Sequence, residues 1–73
     1  MNEVVTVDAR GLSCPEPAIM AREAVKDLTS GRVEVLVDSD VSRDNVRRVV
    51  EKAGWSVTAE TLPRGEFRLV LTK

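Results

Sequence analysis

The chain has no histidine and no tyrosine, and it has one cysteine, one tryptophan and one phenylalanine among 73 residues. Without histidine, no Ser–His or Cys–His dyad can form within it. A lone cysteine can make no internal disulfide and cannot build a zinc site by itself. So few aromatics leave almost no stacking platform for single-stranded nucleic acid. The formal net charge of −1, from 11 basic and 12 acidic side chains, supplies no global field toward nucleic acid or an anionic membrane. No apolar run approaches the roughly 20 residues that span a bilayer. Met1 to Val7 do not read as a secretion signal. A cytoplasmic location is expected.

What is present is ordinary for a folded protein: 42% hydrophobic and 32% charged residues. A length of 73 residues predicts one domain, residues 1–73, without repeats or linkers. A domain this small buries only roughly 60% of its unfolded surface. It has no room for a deep substrate cavity, so chemistry is expected at an exposed edge or in a partner's presence.

Glu3 to Asp8, rich in β-branched residues, reads as a strand. Arg10 to Ser13 form a loop, and a helix is expected from Pro15 to about Thr29, ended by Gly31. At about 100° per residue, Ala18, Ala21, Ala24, Val25 and Leu28 share one side of that helix. Ile19 falls among the charged residues opposite, and Met20 lies at the border. Val33 to Asp38 reads as a central strand with a parallel neighbour. Ser42 reads as the N-cap of a second helix, with Val41 and Val46 at hydrophobic-staple spacing. Val46, Val49, Val50 and Ala53 form its buried stripe, and Gly54 ends it. Trp55, Val57 and Ala59 alternate with Ser56, Thr58 and Glu60, and Phe67, Leu69 and Leu71 alternate with Arg68, Val70 and Thr72, with a turn at Pro63 to Gly65. These last two segments predict an antiparallel hairpin. The order is β-α-β-α-β-β. Single-sided helix stripes require both helices on one face of a four-stranded mixed sheet, an α/β (α+β) two-layer sandwich.

The segment that carries chemistry is Cys14-Pro15-Glu16-Pro17. Pro15 suits the first helical position and Cys14 the N-cap before it. The N–H groups of Glu16 and Ala18, with the helix dipole, would favour a thiolate on Cys14, while the Glu16 carboxylate opposes it. A modest lowering of the thiol pKa follows. A lone cysteine can also be a small buried hydrophobe, and on position alone both readings stand.

Asp8-Ala9-Arg10-Gly11-Leu12-Ser13-Cys14-Pro15-Glu16-Pro17 resembles the signature of the TusA (SirA-like) family: an acidic strand end, Gly-Leu, then Cys-Pro-x-Pro. The element order agrees along essentially the whole chain. The resemblance implies an open two-layer fold and a sulfur carrier, with Cys14 holding sulfane sulfur as a persulfide. It implies a cysteine desulfurase or rhodanese-type donor and a sulfur-acceptor protein as partners. The chemistry is that of a sulfurtransferase-type carrier rather than a multiple-turnover enzyme on a small molecule. It calls for no cofactor, no metal, no membrane and no direct nucleic acid. Asp38 to Val46 is closer to the YedF-like branch, linked to selenium metabolism, than to the tRNA-thiolation branch with its Asp-Pro turn. Sulfur and selenium both stay open.

Arg10 is a candidate for holding a thiolate or meeting an acidic partner, and equally a solvated loop arginine. Ile19, with Met20 at its border, is a candidate docking patch one turn from Cys14. Asp38, Asp40 and Asp44 lack calcium-loop spacing and read as a strand end and a first helical turn. Arg43, Arg47 and Arg48 are diluted by Asp44 and Glu51, which favours a solvated helix face. Two other functions compete with the carrier: a regulatory or redox-sensing module using the same cysteine, and an RNA-binding domain of similar topology.

Overall fold

The computed structural model describes residues 4–13 and 15–73. The order is β1 (Val4–Asp8), α1 (Glu16–Val25), β2 (Arg32–Val37), α2 (Asp40–Lys52), β3 (Ser56–Thr61), a short 3-10 turn (Pro63–Gly65) and β4 (Phe67–Thr72). The strands form one sheet in the order β1-β2-β4-β3. β1 runs parallel to β2, and β4 is antiparallel to both β2 and β3. This is the expected mixed sheet.

Register explains the two faces. Val35 lies beside Val7 and Leu69, and Leu69 lies beside Ala59. Val33 and Val57 meet Leu71 in the same way. These residues share the face that the helices cover. Val33, Val35, Val37, Leu69 and Leu71 are fully buried there against Ala21, Val25, Val46 and Val50. The alternate residues, such as Thr6, Glu34, Arg68 and Thr58, turn to the other face, where Arg68 Nε meets Glu60 Oε1 at 2.7 Å across the strands. At about 25 cal/mol per Å² of apolar surface, that valine and leucine layer is the main stabilising term.

Three local expectations are corrected. First, α1 begins at Glu16 with Pro15 as N-cap, one residue later than expected, so Cys14 is not the cap. It also ends at Val25 rather than near Thr29. The Lys26 N–H still bonds to Arg22 O, and Leu28 N bonds to Val25 O in a tightened last turn. Asp27, Thr29 and Ser30 are weak helix formers and do not continue it. Gly31 is not a helix cap: it exchanges hydrogen bonds with Lys73, N to O at 3.1 and 3.2 Å, and so extends the β2–β4 ladder.

Second, the N-cap of α2 is Ser39, not Ser42. The Ser39 Oγ accepts from Ser42 N at 3.1 Å. Ser42 is buried inside the first turn, and Val41 is 59% exposed, so the proposed staple is absent. A serine three residues earlier, at an extended backbone position, wins because it can reach that N–H.

Third, Ala53 caps α2 and is exposed rather than part of its stripe. The helix closes with Gly54 N to Glu51 O and Trp55 N to Val50 O, with Gly54 at φ 91°. That pair of bonds is a Schellman motif, which needs a left-handed residue after the cap. It also delivers Trp55, only 3% exposed, into the core.

Candidate functional site

Because β1 and β2 are parallel, both helices start at the same end of the sheet. Asp8, Asp38, the N-termini of α1 and α2, and the start of β4 converge there. The loop from Ala9 to Ser13 crosses this end and leads into Cys14.

The loop is tethered along its length. Ala9, fully buried, donates to Leu36 O at 2.8 Å. The Arg10 guanidinium grips both carboxylate oxygens of Asp8, Nε to Oδ1 at 2.9 Å and Nη2 to Oδ2 at 2.8 Å. The Arg10 backbone N–H also donates to Asp8 Oδ1 at 3.1 Å. Its Nη1 reaches Glu66 Oε1 at 3.4 Å, at the start of β4. Gly11, at φ 77°, donates to Asp38 Oδ2 at 2.6 Å. Leu12 packs against the core. Beyond it, Glu16 N donates to Ser13 O at 2.9 Å.

The electrostatics follow from these contacts. The Arg10 side-chain and backbone hydrogen bonds hold Asp8 at a pKa of about 2, below its ordinary 3.8. The same Asp8 contact, helped by Glu66, raises that of Arg10 further. At the start of α2, Arg43 pairs with Asp44 at 3.0 Å and lies 4.7 Å above the Phe67 ring.

Cys14 lies outside the described residues, and so does the expected exposure of its sulfur. The supporting residues follow it in sequence as N-cap and first three helical residues: Pro15, Glu16, Pro17 and Ala18. Pro15 and Glu16 are exposed, whereas Pro17 and Ala18 are buried. The expectation that the Glu16 N–H is available to a thiolate is corrected, because the Ser13 carbonyl takes it. Ile19 is 54% exposed, on the outer side of α1 as its helical angle requires. Met20 is half-buried and packs on the core. Arg10 is held by two carboxylates of its own chain.

Sequence reasoning missed Asp38 and Glu66 as tethers, and it missed a groove between the helices. That groove, about 210 Å³, opens beside Pro15 between Ala18, Ile19 and Arg22 of α1 and Asn45, Arg48 and Val49 of α2. The signal was available in part: positions 15, 18, 19 and 22 have i, i+3, i+4, i+7 spacing, which lines one helix face. Among the described residues, no three of His, Cys, Asp and Glu are grouped to hold a metal ion. No described helix is long and apolar enough to cross a membrane.

Fold and site define a small two-layer α+β domain whose tethered loop feeds the start of its first helix. The model of the family described as sulfurtransferase TusA matches residues 5–73, and the chain belongs to that family. The crystal structure of a SirA-like protein from Desulfitobacterium hafniense superposes with a TM-score of 0.87 at 33% identity, covering 96% of each chain. The sulfur carrier protein TusA of Pseudomonas syringae is 34% identical over 84% of this chain and 74% of its own length. A relative from Archaeoglobus fulgidus with a provisional sulfur-carrier name is 36% identical over 89% of this chain and 87% of its own.

Proposed function

We propose that this chain relays sulfur on Cys14, taking it from a protein persulfide and passing it to an acceptor protein. The Cys14 thiolate attacks the outer sulfur of the donor's persulfide. The new bond is Cys14 S–S, the donor's S–S bond breaks, and the donor cysteine leaves as a thiolate. The proton lost by Cys14 goes to solvent or to that thiolate. An acceptor thiolate then attacks the outer sulfur of Cys14–S–SH and regenerates Cys14. Sulfane sulfur moves at constant oxidation level, so no oxidant is required.

The observation that carries this reading is the tethered loop. Four points of attachment, at Ala9, Arg10, Gly11 and the Ser13–Glu16 bond, hold the chain on either side of the only cysteine. Thiol exchange needs an accessible, well-placed sulfur more than a histidine base, and this chain has no histidine. The relatives' names supply the sulfur. A cysteine desulfurase or rhodanese-type protein is the donor class that this chemistry calls for. The Asp38-Ser39-Asp40-Val41 stretch into α2, in place of Asp-Pro, makes selenium a second chalcogen to test.

Intact-mass spectrometry after incubation with a cysteine desulfurase and cysteine tests the proposal. The expected product is the chain plus one sulfur atom, lost on reduction and absent in Cys14→Ser. Persistence of transfer in Cys14→Ser would overturn the carrier reading, because no second cysteine exists. A parallel arm with selenocysteine in place of cysteine, which loads the desulfurase with selenium at the same oxidation level, reads the chalcogen. Oxygen adducts on Cys14 without sulfur adducts would favour the redox-sensing module instead.

A further inference from the structure

The groove between α1 and α2 combines two properties. Its lining is apolar along Ala18, Ile19 and Val49, and Ile19 is more than half exposed to water. Its only charged lining residues are the cations Arg22 and Arg48. Arg10, Lys26, Arg32, Arg43 and Arg68 each meet a carboxylate of the chain. Among the described residues, Arg22 meets none, and Arg48 Nη2 bonds only to the amide Oδ1 of Asn45 at 3.0 Å. A chain of net charge −1 thus keeps two unneutralised guanidiniums over an apolar strip beside its cysteine-bearing loop.

That combination selects the occupant. About 210 Å³, open to solvent, suits one or two aliphatic side chains rather than a cofactor. A small inorganic anion would gain nothing from Ala18, Ile19 and Val49. A segment with an aliphatic residue flanked by carboxylates satisfies both parts, and guanidiniums bind carboxylates with directed, paired hydrogen bonds.

We propose that the α1–α2 groove docks an acidic, aliphatic-containing segment of the sulfur-donor protein, with Ile19, Ala18 and Val49 receiving the aliphatic side chain and Arg22 and Arg48 its carboxylates. That the partner is the donor rests on the carrier reading above; the groove's preference for an acidic segment does not. The groove opens at Pro15, so a segment seated in it holds its parent protein next to Cys14 in the chain.

The test is an NMR titration of the full chain labelled with ¹⁵N. The probes are a peptide alternating glutamate and leucine, the same peptide with lysine for glutamate, and sodium thiosulfate. The glutamate peptide is expected to shift the amides of Ala18, Ile19, Arg22, Arg48 and Val49, and to bind more weakly as salt is raised. Replacing Arg22 and Arg48 together by glutamine is expected to weaken it about tenfold. Equal shifts from the lysine peptide, or no shift of these amides by the glutamate peptide, would overturn the proposal. Shifts of the same amides by thiosulfate alone would make the groove a small-anion site and overturn it too. The carrier reading is tested separately, by loading of Cys14 in the parent chain from a small-molecule persulfide. A chain that binds the glutamate peptide but takes no sulfur keeps the groove and loses the carrier.

Discussion

The carboxylate of Asp38, just past the end of β2, accepts a hydrogen bond from the Gly11 backbone N–H at 2.6 Å. The two residues are 27 apart in sequence, and the bond fixes the loop that enters Cys14 to the strand beside it. Asp38→Ala removes the acceptor and leaves an exposed N–H to water, so the stability loss should be about 1 kcal/mol. Sulfur transfer should also slow, on the order of tenfold, because a displaced reacting atom loses alignment. Asp38→Asn keeps an acceptor oxygen and should recover most of the rate. Urea denaturation and single-turnover transfer on the three proteins check both numbers.

Gly11 sits at φ 77° with nothing within 4 Å of the place a Cβ would occupy. Gly11→Ala therefore meets no steric clash, only the left-handed backbone penalty of about 1–2 kcal/mol. A lowered urea midpoint with an unchanged slope is the expected result. A midpoint equal to the parent's would show that the loop relaxes to another conformation at no cost.

Asp8 should give the domain an acid limit. Its pKa in the fold, about 2, lies below the ordinary 3.8, so the unfolded chain binds the proton more readily. The contribution of the Asp8–Arg10 contact is therefore complete above the unfolded pKa and is lost as pH falls through the folded one. Between those values the urea midpoint should drop, and Asp8→Asn should flatten that part of the profile. Both partners are exposed, so added salt should shrink the effect.

Ile19 and Leu69 offer a contrast between surface and core. Ile19 is 54% exposed and Leu69 is fully buried in β4. Ile19→Glu should leave stability within about 0.5 kcal/mol of the parent, yet reduce loading from a protein donor. Leu69→Ala should cost about 2–5 kcal/mol through lost burial and a residual cavity. Thermal unfolding of the two variants separates these outcomes, and an Ile19→Glu protein that unfolds early would place Ile19 in the core.

Much of the fold was legible because it rests on short-range periodicity. Alternation in Val57–Ala59 and Phe67–Leu71 marks half-buried strands, and the Ala18/Ala21/Val25 stripe marks the packed side of α1. The same angle that put Ile19 outside that stripe put it in water. Helix ends were less legible. Ser39 and Ser42 are both capable caps, and only the backbone path decides which oxygen reaches an N–H. Glu16 likewise has a free donor on paper, until the chain turns and Ser13 O takes it.

The sequence by itself determined the kinds and order of elements, the one-sided packing of both helices, and Cys14 as the one thiol. These follow from residue spacing and residue chemistry, which act within a few positions along the chain. The tertiary structure alone decided that β4 enters the sheet between β2 and β3, since a hairpin can add to a sheet through either strand. It alone joined Arg10 to Glu66, 56 residues away, and Gly11 to Asp38. It alone set Arg22 and Arg48 across a common groove, because that distance depends on how closely two helices approach over a particular sheet.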